Sequence, residues 1–159
     1  MGRKSSFSQQ DITRETTMLA HLFALLYYHF GATLIAELGE KRGRRLIEKA
    51  VKDFALDRGR RMKSQVLSLG KRPNFKNYHL VRDLPEHTFW DTPEGRTHCP
   101  FADIWEKKGS FGQALGLLYC NTNDPWKIKG YNPQAKLWRW VKNRNLGDGM
   151  CKGQKAIQT

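Results

Sequence analysis

Cysteine is scarce in this 159-residue chain, and its placement excludes more than its number does. The three cysteines, Cys99, Cys120 and Cys151, are an odd count, lie far apart and form no Cys-x-x-Cys pair. This speaks against a disulfide framework and fits reduced thiols in a cytosolic compartment. The short ligand gaps of a zinc site are missing as well, so neither a metal nor a cofactor is expected. Long apolar runs are also absent. The longest, Met18–Tyr28, is interrupted by His21 and falls short of the about 20 residues that span a bilayer. It lies too far in, behind an unlike polar lead, to read as a signal peptide. No internal repeat is visible. The expectation is a soluble, cytoplasmic protein with a flexible N-terminus (1–10) and a single domain over 11–159.

Acidic residues are the other shortage. Asp plus Glu number 15 against 28 Lys plus Arg, a formal charge of +13. The excess is spread along the chain, with 13 basic and 7 acidic residues up to residue 70 and 15 against 8 beyond it. Trp138-Arg-Trp140 beside Lys142 has the aromatics and cations of a single-strand platform. Yet the chain holds no helix-turn-helix, zinc-finger or RNP-type pattern, so nucleic acid is not the expected partner, and neither is a membrane. A small anionic or zwitterionic substrate gains from such a field without a dedicated patch. An oligomer is compatible with all of this.

What is present is enough for a core: 39% apolar residues, with five Trp, five Tyr and eight Phe. Asp11 or Thr13 is placed to cap a helix running to Phe30, with Met18, Leu22, Leu25, Leu26 and His29 on one face and Gly31 as its break. A second helical pattern spans Thr33–Leu69 with Ile47, Val51, Phe54, Met62, Val66 and Leu69 on its apolar stripe and Gly70 as its stop. Its other face carries Lys41, Arg42, Arg44, Arg45, Lys49, Lys52, Arg58, Arg60, Arg61 and Lys63. From Asn77 to Asp91 the pattern is extended, Asp91–Gly95 turns, and Arg96–Cys99 returns. Pro100 opens a helix over Phe101–Lys108, and Phe111–Cys120 forms another. Asn121–Asp124 and Gly130–Pro133 read as loops, Ala135–Arg144 as an alternating strand, and Met150–Ile157 as a last strand. The fold class expected is α+β, N-terminal helices packed on a small antiparallel sheet with further short helices.

Chemistry concentrates on the second half. Cys99 precedes Pro100 and so occupies a helix N-cap, where backbone N–H groups and the macrodipole favour a thiolate. A buried, inert cysteine is the other reading. His98 adjoins it, although strand neighbours face opposite ways. Cys120 and Asp124 are one helical turn apart. Cys151 follows the turn Gly147-Asp-Gly-Met, whose Asp148 suits a base or a cationic substrate group.

The series His98-Cys-Pro-Phe101, Leu118-Tyr-Cys-Asn-Thr-Asn-Asp124, Gly130-Tyr-Asn-Pro133 and Gly147-Asp-Gly-Met-Cys151 resembles the L-2-amino-thiazoline-4-carboxylic acid hydrolase family in content and order. The resemblance covers Met18–Lys155, with its weight on Cys99–Cys151. It implies a hydrolase of cyclic amidine or isothiourea-type C–N or C–S bonds. Cys99 then serves as the activated nucleophile, or an aspartate activates water and the cysteines line the pocket. Cys120, Cys151 and His98 complete the catalytic set with Asp124 and Asp148, which suit a cationic amino-thiazolinium. Arg139 would hold the substrate carboxylate, with Trp90 and Tyr131 as further binding residues. A non-catalytic ligand-binding or sensor domain, or a basic nucleic-acid-binding module, are the alternatives.

Overall fold

The computed structural model describes residues 8–81, 83, 99–142 and 153–158, with 136–142 and 153–158 given as backbone. Helix α1 spans Gln9–Leu38 and α2 spans Glu40–Ser68. A 3-10 segment follows at Phe75–Leu80, then α3 at Pro100–Lys107 and α4 at Gly109–Tyr131. Two strands, β1 (Lys136–Lys142) and β2 (Gly153–Gln158), complete the order.

Ser8, rather than Asp11 or Thr13, caps α1. Its hydroxyl accepts from Asp11 N at 3.2 Å while Asp11 Oδ2 accepts from Ser8 N at 3.2 Å, a reciprocal capping box. The helix then runs straight through Gly31. A Cβ there would sit 3.1 Å from Leu115 Cδ1 and 3.5 Å from Ile47 Cδ1, so this glycine serves close packing and not a break. The break comes at Gly39, whose φ of 75° is a conformation that side chains with a Cβ rarely adopt. At the other end of α2 the expectation holds: Gly70, at φ 69°, follows the last turn and donates to Leu67 O at 2.9 Å.

The apolar face read for α1 is not the buried one. Ala20 and Ala24 face the core, joined by Phe23 and Tyr27, while Met18, Leu22 and Leu26 stay exposed. By length and composition, the Gln10–Leu38 stretch is long and apolar enough to cross a membrane, longer than the Met18–Tyr28 run had indicated. In this structure one side of α1 is pinned to the bundle by tertiary hydrogen bonds. Trp105 Nε1 donates to Ala24 O at 3.0 Å, and Tyr27 OH donates to Leu115 O at 2.9 Å.

The main core joins Ala24, Ile47, Val51, Trp105, Leu115 and Tyr119 from all four helices. Its aromatic centre is tight. The Trp105 ring lies 5.6 Å from Tyr27, 5.9 Å from Phe101 and 5.5 Å from Tyr119, separations at which offset and edge contacts add to simple burial. A smaller cluster of Met62, Val66 and Tyr131 closes under Tyr78 and Val81.

These two clusters overturn the α+β expectation. The architecture is helix on helix, and no sheet supplies a layer of the described core. β1 and β2 pair antiparallel, from Lys136↔Gln158 to Lys142↔Gly153, with a bulge between Trp138 and Val141. A lone two-stranded ribbon is an appendage, marginal without the helices beside it. The misreading has a local cause. Asn121–Asp124 and Pro125 look like a loop, yet α4 passes through them to Tyr131. Pro125 removes one hydrogen bond from that helix. The 3-10 segment Phe75–Leu80, capped by Asn74, likewise takes in Asn77–Leu80, where the extended pattern was expected to begin. The expected turn and strand over 91–98 lie outside the described residues.

Candidate active site

Helices α2 and α4 approach until their backbones touch. A Cβ on Gly59 would lie 2.1 Å from Lys127 O, and one on Gly130 would lie 2.5 Å from Leu56 O. Only paired glycines allow this contact, and it sets Arg58 against the flank of α4. On that flank Tyr119, Asn123 and Lys127 recur every fourth residue and so lie along one stripe.

Arg58 sits at the centre of the resulting cluster. Its Nε donates to Asp83 Oδ1 at 3.1 Å, and its Nη2 donates to Asp83 Oδ2, a bidentate pair. Its Nη1 donates to Asn123 Oδ1 at 2.9 Å and to the Tyr119 hydroxyl at 3.3 Å. Asp83 gathers two more cations, Lys127 Nζ at 3.3 Å and Arg61 Nη2 at 3.2 Å. The pair is buried, with side-chain exposures of 14% for Arg58 and 8% for Asp83, so solvent screening is weak. Arg58 had been placed on the solvated face of α2; the glycine contact beside it is what buries it.

From Arg58 the polar chain continues inward. Asn123 accepts from the guanidinium and its Nδ2 donates to Asp124 Oδ1 at 3.2 Å. Asn123 is 5% and Asp124 8% exposed, so this is a buried arginine–amide–carboxylate relay. Desolvation pushes the Asp83 carboxyl upward, but the hydrogen bond from Arg58 and the charge of Lys127 overcome it and hold Asp83 below its ordinary value. Burial opposes the charge on Arg58, yet its bond to Asp83 and the nearby Tyr119 and Asp124 raise its pKa. Burial likewise raises both phenols, Tyr27 and Tyr119, the latter against the opposing charge of Arg58.

The structure thus brings Cys120 and Asp124 onto the same stretch of α4. Cys99 is the N-cap of α3, as expected, and is buried at 6% exposure. Its carbonyl accepts from Ala102 N at 2.9 Å. Phe101, two residues on, packs its ring 6.4 Å from Tyr119, which sets the first turn of α3 against the Tyr119 turn of α4. Tyr131 is placed elsewhere. It belongs to the second cluster, where its hydroxyl donates to Asn74 O at 3.0 Å, about 18 Å along the helix from Tyr119. Arg139 lies in β1, described as backbone. His98, Trp90, Asp148 and Cys151 lie outside the described residues. Among the described residues, no three of His, Cys, Asp and Glu gather as metal ligands.

A sequence model of the L-2-amino-thiazoline-4-carboxylic acid hydrolase family matches residues 19–153, nearly the whole chain. The chain belongs to that family. No curated protein and no solved structure matches it. The match takes in α1 from residue 19, all of α2, α3, α4 and β1, and every motif on which the resemblance rested, and the family's name is that of a hydrolase. Within this hydrolase-family fold, sequence reading had missed Arg58, Asp83, Asn123, Lys127 and Tyr119. The fourfold spacing of Tyr119, Asn123 and Lys127 was a legible signal, hidden by ending the helix at Cys120. For Asp83 nothing in its neighbourhood gave one.

Proposed function

We propose that this protein hydrolyses a small zwitterionic ring of the 2-aminothiazoline-4-carboxylate type, opening it at the C–S bond. The buried Arg58–Asn123–Asp124 relay, with Asp83 and Lys127 around it, is the observation that carries the reading. The cluster counts three cations, Arg58, Arg61 and Lys127, against two carboxylates, Asp83 and Asp124. That surplus matches one substrate carboxylate, drawn in by the general positive field of the chain. Asp124, oriented by the Asn123 amide, suits the amidinium of the ring and polarises its C2 carbon.

In the reaction proposed, the Cys99 thiolate attacks C2 and the ring C–S bond breaks, its electron pair leaving on the ring sulfur, which takes up a proton. Water then adds to the enzyme-bound isothiourea and the Cys99 thiolate departs, leaving a ureido thiol. One water is consumed and one thiol appears. Asp148 and Arg139 enter this proposal through the family resemblance. The ordered Asp124 carboxylate also favours a second route, in which it activates water for direct attack on C2 and no covalent adduct forms.

The test is turnover of a cyclic isothiourea carboxylate by wild type, Cys99→Ala and Asp124→Asn, with the ureido thiol identified by mass. Both variants are expected to lose about 100-fold or more in kcat. A large loss in Asp124→Asn alone selects the direct-water route. Unchanged turnover in both sinks the site, and saturable binding without turnover by wild type returns the protein to a ligand-binding role.

A further inference from the structure

We propose that the cavity between α1 and α2 is a binding site for an apolar, single-ring group carried by the substrate. The inference rests on the hydrolase reading and narrows the substrate class to a ring carboxylate bearing an aromatic substituent. The cavity holds ≈ 180 Å³, and five of its ten lining residues are aromatic: Phe23, Tyr27, Phe30, Phe54 and Tyr119. None of the lining side chains is charged.

Both hydroxyls among them already have partners. Tyr27 OH donates to Leu115 O at 2.9 Å, and Tyr119 OH accepts from Arg58 Nη1 at 3.3 Å. A charged occupant would lose its hydration in this cavity and meet no opposite charge on its lining, which is costly. An apolar one gains by leaving water, and a flat ring gains further from edge and offset contacts with five rings. Size sets the other limit. An apolar cavity of about 150 Å³ takes a benzene ring, so ≈ 180 Å³ suits one ring with a short linker and excludes a long acyl chain.

The cavity shares its walls with the candidate site. Tyr119 lines the cavity while its hydroxyl meets Arg58. Phe54 lines it too, and the Arg58 guanidinium lies 5.2 Å from the centroid of that ring. Phe23, a third lining residue, packs 5.5 Å from Phe101, in the first turn of the helix that Cys99 caps. One ring therefore separates the cavity from the cation cluster, and one from the first turn of α3. Phe54 is 41% exposed, which leaves its edge open to a ligand. A substrate whose carboxylate is held by the cations can set an attached ring into this cavity.

Two measurements test this. Fluorobenzene, a probe of the apolar site alone, is titrated into wild type and Ala50→Phe and followed by fluorine NMR. Ala50 lines the cavity and is itself exposed, so the larger side chain fills the space without entering buried packing. Saturable binding with a Kd of about 1 mM or tighter is expected for wild type. Ala50→Phe should keep its helical circular dichroism and weaken that binding by about 10-fold or more. Turnover of 2-aminothiazoline-4-carboxylate is then compared with that of its 5-phenyl derivative. Wild type should favour the phenyl derivative by about 10-fold or more in kcat/KM, and Ala50→Phe should erase that ratio. Leu34→Ala, which enlarges the cavity, should move the preference toward a 5-naphthyl derivative, a gain that unfolding does not produce. Absence of saturation by fluorobenzene overturns the proposal, as does binding untouched by Ala50→Phe. So does an unsubstituted ring opened as fast as the phenyl derivative. If wild type opens neither ring while fluorobenzene still saturates it and Ala50→Phe abolishes that binding, the hydrolase reading fails and the apolar site stands.

Discussion

Replacing Arg58 by Met keeps the length of the side chain and deletes its charge, and this perturbs the cluster at its hub. Removing one partner of a buried ion pair costs about 3–5 kcal/mol, since the other is left desolvated. Here the loss falls near the low end, because Asp83 retains Lys127 Nζ at 3.3 Å and Arg61 at 3.2 Å. Against that, Asn123 Oδ1 and the Tyr119 hydroxyl each lose a charged donor in a buried setting. The expected cost is about 3 kcal/mol, which for a chain of this size lowers Tm by roughly 6–12 °C. Urea denaturation at neutral pH reads the same change as a lower midpoint with an unchanged m value. Asp83→Asn and the double variant complete a cycle, in which a coupling of at least about 1 kcal/mol is expected for groups in direct contact. A cost below about 1 kcal/mol for Arg58→Met, or additive single variants, would refute the reasoning that the α2–α4 contact encloses a working ion pair.

Acid stability should report Asp83 separately. Its folded pKa lies below the ordinary 3.8, so its contribution is complete above the unfolded value and fades as pH falls through the folded one. The stability gap between wild type and Asp83→Asn should therefore stay constant from neutral pH to about 5 and narrow below that, as urea midpoints across acid pH will show. Gly59→Ala drives a methyl to 2.1 Å from Lys127 O, which no rotamer relieves. It should destabilise by about 3 kcal/mol in the same assay, whereas an ordinary helical Gly→Ala exchange stabilises. Lys127→Met leaves the bidentate Arg58–Asp83 pair in place, so its far-ultraviolet circular dichroism should match wild type and its KM for a carboxylated substrate should rise more than kcat falls.

The helices were legible because their signals are local. The apolar spacing of Ile47, Val51, Met62 and Val66, the Gly70 stop and the Cys99–Pro100 start are each written within a few residues. Three decisions of the fold are not local. Gly31 reads as a break until Leu115 is known to sit against it. Pro125 reads as a loop residue until α4 is seen buried on both sides of it. Gly59 weakens a helix by propensity, yet it is the residue that lets α4 close on α2. The candidate site follows the same division. Cys99, Cys120 and Asp124 stand out by residue type and by motif order. Arg58 looked like one more cation on a basic face, and Asp83 is recognisable only by the three cations that meet it.

Release of a new thiol measures the central claim most directly, with 2-aminothiazoline-4-carboxylate compared with the same ring lacking its carboxylate. The account predicts that wild type opens the carboxylated ring with a kcat/KM about 100-fold higher, and that Lys127→Met removes most of that preference while still opening the bare ring. Equal rates on both rings, or a preference that survives Lys127→Met unchanged, would contradict it.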